Sequence, residues 1–245
     1  MPRTEPVYAA VKSLLKPFIG HGMKWKIDGI HMIPRHGSAI LASNHSGYLD
    51  PIALGYLTEL QGRRLRFLAK RELFEKRLVG WTFRQMGQIP VDRGTGDAAK
   101  ALGDAVDALA RGEIVGVFPE GTISLDLEPM AGKTGTARLA ALSGVHVTPI
   151  GMWGSHRVLF KGRKPNWKWG LAQVACIGPA VKVEPDEDVY DATDRIMEAV
   201  CAQVRRAREL YPQHPKPGED DWWVRPPESA VLRTSRREST EEATG

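Results

Sequence analysis

SAILASNHSGYLDPIALGYL, residues 38–57, contains the local signals that decide the fold. Its first six residues form a short apolar run, which predicts a buried β-strand. A polar loop follows. From Pro51 to Leu60 the sequence predicts a helix, with Asp50 as its N-cap and Pro51 at its first position. A buried strand that leads through a short loop into a helix is the repeating unit of α/β folds.

The same alternation of strand and helix continues along the chain. The further predicted strands are 66–69, 88–91, 113–118, 146–152, 171–178 and 180–183, and the further predicted helices are 72–86 in two pieces, 97–110, 134–142 and 191–210. We therefore expect an α/β protein, a layered αβ domain with a largely parallel central sheet. This main domain should occupy residues 23–211.

The two ends of the chain differ from this pattern. Residues 1–22 contain a short amphipathic helix, predicted over 5–18 and ended by Pro17, with apolar residues at helical spacing. This helix either packs on the core or lies in a membrane interface. Residues 212–245 are rich in polar residues and Pro, so we expect a flexible C-terminal tail that is mobile or wraps the surface. Trp222 and Trp223 are the residues of this tail that could dock on the body.

Charge and composition limit the classes of partner. The net charge is +5, and the acidic tail leaves +7 on the rest of the chain. A basic body fits phosphorylated metabolites, acidic lipid or nucleic acid. No apolar run approaches the roughly 20 residues of a membrane-spanning helix, and no signal peptide is recognisable. The two cysteines, Cys176 and Cys201, are expected to be reduced buried thiols.

Several short motifs do not support the chemistry they suggest. GTGDAA, residues 94–99, matches the dinucleotide pattern only loosely, because the polar pair Asp92-Arg93 precedes it. GKT, residues 132–134, lacks the first glycine of a phosphate-binding loop. No GxSxG and no zinc-ligand spacing occurs in the sequence, so we predict neither a serine hydrolase elbow nor a zinc site.

NHSGYLDP, residues 44–51, is the first segment with catalytic potential. It follows a buried strand, and open α/β sheets bind ligands at the carboxyl ends of their strands. His45 can act as a general base at neutral pH, and Asp50 can hold its other ring nitrogen. The pair corresponds to a serine-protease triad without its nucleophilic serine, so the nucleophile would be a substrate hydroxyl. The alternative is a structural histidine followed by a helix cap.

Two later segments also follow strands. In FPEGTIS, residues 118–124, Glu120 either binds a substrate hydroxyl or holds the loop, and the N–H groups of Gly121 and Thr122 can face an anion. In GQIPVDRG, residues 87–94, Arg93 suits a phosphate, the alternative being a surface ion pair with Asp92.

Read together, NHSGYLD, GQIPVDRG, FPEGT and VTPI resemble the ordered blocks of the glycerolipid acyltransferase family, which contains the 1-acylglycerol-3-phosphate acyltransferases with their HxxxxD signature. The resemblance covers roughly residues 36–155. It implies that His45 is the catalytic base with Asp50 as its partner, and that Arg93 binds phosphate. It also implies that Glu120, Gly121 and Thr122 form the acceptor-binding turn. Lys70 and Lys133 are similar to basic residues of the family, and Pro149 marks the fourth block.

The resemblance further implies transfer of an acyl group from acyl-CoA or acyl carrier protein to a lysophosphatidic acid-like lipid, with no metal or other cofactor. Glycerol 3-phosphate or another lysophospholipid is an alternative acceptor. A thioesterase and a non-catalytic lipid-binding module are alternative functions. Family members often carry an N-terminal helical anchor that spans the membrane; here the N-terminal segment is short.

A lipid acceptor implies contact with a membrane surface. Residues 153–169 combine three tryptophans with Lys161, Arg163, Lys164 and Lys168, a composition typical of the headgroup layer. An ordinary solvated basic turn is the alternative. Such residues also suit nucleic acid, but no nucleic-acid motif accompanies them, so we expect no nucleic-acid partner. We expect peripheral attachment at the cytoplasmic face of the cell membrane.

Overall fold

Seven strands form one sheet in the computed structural model, which describes residues 5–91 and 97–235. The strands are β1 (Met23–Asp28), β2 (Ala39–Ser43), β3 (Leu65–Lys70), β4 (Ile89–Val91), β5 (Ile114–Val117), β6 (Val147–Trp153) and β7 (Leu171–Ile177). The α-helices are α1 (Glu5–Lys16), α2 (Asp50–Leu60), α3 (Arg71–Glu75), α4 (Arg77–Gln85), α5 (Asp97–Ala110), α6 (Gly135–Ser143) and α7 (Val189–Glu209). The predicted α/β domain is confirmed.

The sheet is largely parallel, as predicted. Its strand order is β1-β7-β6-β2-β5-β3-β4, and neighbouring strands are parallel except for the antiparallel pair β6 and β7. The five strands from β6 to β4 therefore end at the same edge of the sheet. The loops that follow them meet there, where open α/β sheets bind their ligands.

Helices cover both faces of the sheet. Ile40 and Ala42 of β2 pack into a core with α5, α6 and α7, whereas Ala39 and Leu41 pack into a second core with α2. Successive side chains of a strand point to opposite faces, so a strand covered on both sides is apolar at every position. This explains the apolar run that begins at residue 38. Cys176 and Cys201 are buried free thiols, as expected.

Two strand assignments needed correction. Sequence reasoning missed β1, an edge strand in which apolar residues alternate with Lys24 and Lys26. The predicted strand 180–183 is wrong, since only Val181 pairs with the sheet, opposite Val147 at the start of β6. From Ile150 onward that side of β6 pairs with β7. This leaves the start of β6 for pairing, and Val181 bonds there to Val147.

The N-terminal helix packs one apolar side against the body. α1 ends at Lys16, but the chain continues as a π-helical turn from Pro17 to Gly22 instead of leaving the helix at the proline. Leu15 packs towards the core, while Leu14 is 79% exposed. Among the described residues, no helix combines the length and the apolar character that crossing a bilayer requires.

Residues 212–235, called here the C-terminal strap, wrap the surface of the body. Trp223 is buried in a core with Trp153 and Tyr211, and the Arg157 guanidinium lies 3.7 Å from its ring centre. Ala230 is fully buried. Of the two alternatives for the tail, mobile or wrapped on the surface, residues 212–235 follow the second, and Trp222 and Trp223 pack on the body.

Candidate active site

His45 and Asp50 form a hydrogen-bonded pair in the loop between β2 and α2. His45 Nδ1 lies 3.0 Å from Asp50 Oδ2. The Asp50 side chain is fully buried, and that of His45 is 16% exposed. Because Asp50 occupies Nδ1, Nε2 is the ring nitrogen that can take a proton from a substrate.

Asp50 does not cap α2 as the sequence suggested. It is the first residue of that helix, which follows Leu49, and its carboxylate turns back into the preceding loop. Oδ2 accepts hydrogen bonds from the backbone N–H groups of Ser46 and Gly47, both at 2.7 Å. The loop thus closes around the carboxylate that holds His45.

Two neighbours that the sequence did not reveal fix the loop and the ring. The Asn44 side chain exchanges two hydrogen bonds with the backbone of Met152 on β6, at 3.0 and 2.8 Å. The His45 ring stacks on Phe118, with ring centres 4.2 Å apart. Asn44 and Phe118 each follow a strand directly, inside the segments NHSGYLD and FPEGT. This position was the indication in the sequence that they could belong to the site.

Glu120 lies behind His45 and not in front of it. Its side chain is buried, Oε1 accepts the backbone N–H of His45 at 2.8 Å, and Oε2 accepts that of Met130 at 2.9 Å. Burial raises the pKa of Glu120 to about 8, against the effect of these two hydrogen bonds. The geometry favours the alternative that Glu120 holds the loop. Gly121, with φ of 73°, makes the turn that follows.

A cavity of about 1630 Å³ opens in front of His45. Four other predicted site residues line it together with His45, namely Lys70, Gly121, Thr122 and Lys133. Arg138, Lys161 and Arg233 add further cations. Apolar side chains come from α1, the π-helical turn and α2, among them Leu15, Ile19, Ile52 and Tyr56. The cavity therefore combines cationic and apolar walls. Arg93 lies outside the described residues.

The predicted membrane segment, residues 153–169, divides into two parts. Trp153 is buried below the Arg208 guanidinium, whereas Arg163 is exposed and pairs with Asp220 of the strap. Trp167 and Trp169 are exposed, and both contact Phe18 of the N-terminal segment.

Within residues 5–91 and 97–235, no group of three or more His, Cys, Asp or Glu side chains is placed to hold a metal ion.

Known proteins share this fold and sequence pattern. A crystal structure of the 1-acyl-sn-glycerophosphate acyltransferase from Thermotoga maritima matches with a TM-score of 0.62 and 26% identity, covering 85% of this chain and 84% of that one. A chloroplastic 1-acyl-sn-glycerol-3-phosphate acyltransferase of Arabidopsis thaliana is 28% identical over 72% of this chain, which spans 49% of that protein. The Bacillus subtilis protein of the same name is 30% identical, with coverages of 57% and 68%.

The chain spans about half the length of the plant and algal relatives. The family model described as Acyltransferase matches residues 24–153, more than half of the chain. That range includes β1 to β6, the His45–Asp50 pair and the turn at Gly121. On this match, the chain belongs to the acyltransferase family.

Proposed function

We propose that the protein transfers a fatty acyl group from a thioester donor, acyl-CoA or acyl carrier protein, to the free hydroxyl of 1-acylglycerol 3-phosphate, giving phosphatidic acid. The observation that carries this proposal is the position of His45. The ring is held by a buried Asp50 and opens into a large cavity that has both cationic and apolar walls.

The chemistry needs one base. His45 Nε2 removes the proton from the acceptor hydroxyl, whose oxygen attacks the thioester carbonyl, and collapse of the adduct breaks the carbon–sulfur bond. The imidazolium can return its proton to the departing thiolate. Asp50 orients the ring and stabilises the imidazolium in between.

The cavity suits an amphipathic acceptor. Lys70 and Lys133 line the cavity, and we assign them to its phosphate. We assign Arg93 to the same task on the family resemblance. Gly121 and Thr122 form the turn beside His45, and we propose that this turn contacts the glycerol part. Glu120 then acts through the loop, because its two oxygens are occupied by backbone N–H groups. The apolar wall fits acyl chains.

We further propose peripheral membrane attachment on the cytoplasmic face, where acyl-CoA and acyl carrier protein occur. Residues 1–22 would be the membrane-associating segment and 23–211 the acyltransferase domain. The support is the joint surface of Phe18, Trp167 and Trp169, with exposed lysines at 161, 164 and 168. Aromatic and basic residues together are typical of the headgroup layer.

The test is transfer from labelled acyl-CoA and labelled acyl carrier protein to lysophosphatidic acid, glycerol 3-phosphate and other lysophospholipids, with the products identified. We expect phosphatidic acid from lysophosphatidic acid. His45→Ala should lower the rate by at least about 10²-fold, because it removes the base. The exposed His36 provides the control His36→Ala, which should keep the full rate.

Three results would count against the proposal. Free fatty acid formed at the same rate with and without acceptor would indicate a thioesterase. Faster transfer to another acceptor would show that lysophosphatidic acid is not the preferred acceptor. A His45→Ala protein with the parent's rate would exclude His45 as the base.

A further inference from the structure

Ser155 is buried next to the Asp50 carboxylate. β6 ends at Trp153, and Gly154, with φ of 123°, turns the chain so that Ser155 begins a short 3₁₀ turn over Ser155–Arg157. The Ser155 side chain is almost wholly inaccessible, and its hydroxyl donates a hydrogen bond to Asp50 Oδ1. β6 is the neighbour of β2 in the sheet, which brings the two strand ends together.

The two oxygens of Asp50 have different partners. Oδ2 holds His45 Nδ1 at 3.0 Å and the N–H groups of Ser46 and Gly47. Within the part of the chain that the structure describes, Oδ1 accepts a hydrogen bond from the Ser155 hydroxyl alone. Removing it would leave one oxygen of a fully buried carboxylate unpaired, a costly state that the carboxylate can relieve by rotating.

We propose that Ser155 is a positioning residue for the transfer reaction: its hydroxyl fixes the plane of the Asp50 carboxylate and thereby the direction of His45 Nε2. The inference rests on the proposed function. Ser155 is not a nucleophile, because it bonds the oxygen that does not hold His45 and does not line the cavity.

The turn that carries Ser155 is itself held against the His45 loop. Tyr48 donates its backbone N–H to the Leu159 carbonyl at 3.1 Å. A Cβ at Gly47 would lie 2.9 Å from His156 Cα, so the two backbones are in direct contact. A displacement of the turn would therefore move the loop as well.

His156 anchors the other side of this turn. Its ring is buried beside Trp153, with ring centres 4.5 Å apart, and Nε2 lies 3.3 Å from the Trp223 carbonyl oxygen of the strap. Burial lowers the pKa of His156 to about 3, so the ring is neutral at physiological pH and adds no charge beside Asp50. Ser155 is thus fixed on both sides.

The kinetic test is Ser155→Ala. A hydrogen bond to a charged group is worth a rate change of about 10- to 100-fold, and we expect kcat to fall by that factor with both KM values within about twofold of the parent. Ser155→Thr keeps the hydroxyl and should recover most of the loss. Thr193→Val is the matched control, since Thr193 is equally buried and its hydroxyl donates to the Val189 carbonyl within α7; its kcat should change less than twofold.

A second measurement does not depend on turnover. The proton between His45 Nδ1 and Asp50 should give a downfield NMR resonance, which should shift or broaden in Ser155→Ala and stay in place in Thr193→Val. If the parent lacks transferase activity, the proposed function fails while this resonance still tests the coupling. The proposal is overturned if the resonance is unchanged in Ser155→Ala, or if kcat falls equally in both variants.

Discussion

At the residue scale, the two carboxylates beside His45 occupy different environments. Asp50 has hydrogen-bond donors on both oxygens and holds the imidazole directly. Glu120 joins the backbone of His45 to that of Met130, two segments that are 85 residues apart in the chain. Burial has the largest effect on the pKa of Glu120 and raises it. The stability that this side chain gives to the site should therefore depend on pH.

Glu120 predicts a pH-dependent stability. The pKa of Glu120 is raised from 4.5 to about 8 on folding. Its contribution to the free energy of unfolding is therefore complete below pH 4.5 and is lost as the pH rises through about 8. The free energy of unfolding should therefore decrease between these values, by up to about 1.4 kcal/mol per pH unit from this group. Urea titrations of the parent and Glu120→Gln at several pH values should show a flatter dependence in the variant.

The comparison of slopes isolates Glu120 from other titrating groups. Glu228→Gln, an exposed acid in the strap, is the matched control and should keep the parent's slope. Equal slopes in the parent and Glu120→Gln would mean that Glu120 is ionised in the folded protein at neutral pH.

At the element scale, the N-terminal segment and the loop before β7 form one surface. Phe18 packs edge-on against Trp167, with ring centres 5.2 Å apart, and also contacts Trp169. Trp167 is 53% exposed and Trp169 68% exposed, although both are large and apolar. Exposed tryptophans beside lysines are typical of the headgroup layer, which supports the proposed membrane attachment.

Vesicle sedimentation tests this surface. Lys161/Lys164/Lys168→Glu should weaken binding to acidic vesicles by at least about 10²-fold, since each lysine contributes about 1 kcal/mol. Trp167→Ala with Trp169→Ala should weaken binding to acidic and neutral vesicles alike. Salt should weaken the parent's binding by screening the lysines.

The control for this surface is Leu142→Gln. Leu142 is equally exposed but lies near the end of α6, which precedes the start of β6 at the opposite edge of the sheet. It should bind as the parent does. If all variants sediment like the parent, another face contacts the membrane.

At the scale of the whole molecule, the C-terminal strap connects α7 with the loop that follows the Gly121 turn. Arg208 of α7 is buried and donates to the Leu127 carbonyl, to Glu128 and to the Ser229 hydroxyl of the strap. A buried cation of this kind is tolerated because Glu128 neutralises its charge and both terminal nitrogens of its guanidinium are hydrogen-bonded. The strap therefore covers the charged network behind the active-site edge.

Trp223→Ala should destabilise the whole domain. Deleting a buried aromatic side chain costs about 3–5 kcal/mol, and Arg157 would lose the ring that it stacks on. Val231→Ala, an exposed change in the same strap, should stay within about 0.5 kcal/mol of the parent. Urea unfolding measures both. A Trp223→Ala protein as stable as the Val231→Ala control would show that the strap contributes little to the fold.

The sequence alone determined the order of strands and helices from β2 to β7, and the place of His45 and Asp50 after a strand end. These features depend on residues within a few positions of one another, where the periods of strand and helix leave a readable pattern. One local prediction was wrong. Asp50 before Pro51 fitted the N-cap of α2, but its carboxylate accepts hydrogen bonds from the loop that precedes the helix.

Only the tertiary structure decided which distant residues surround the pair. Ser155 is 105 residues from Asp50 and reaches it because β6 lies beside β2, an adjacency set by the packing of the whole sheet. Glu120 reads as a loop-tip residue that could bind substrate, until its burial becomes visible. Trp153 and the strap likewise pack through contacts between remote segments. Such contacts follow from burying apolar surface in three dimensions, and they leave no local period in the sequence.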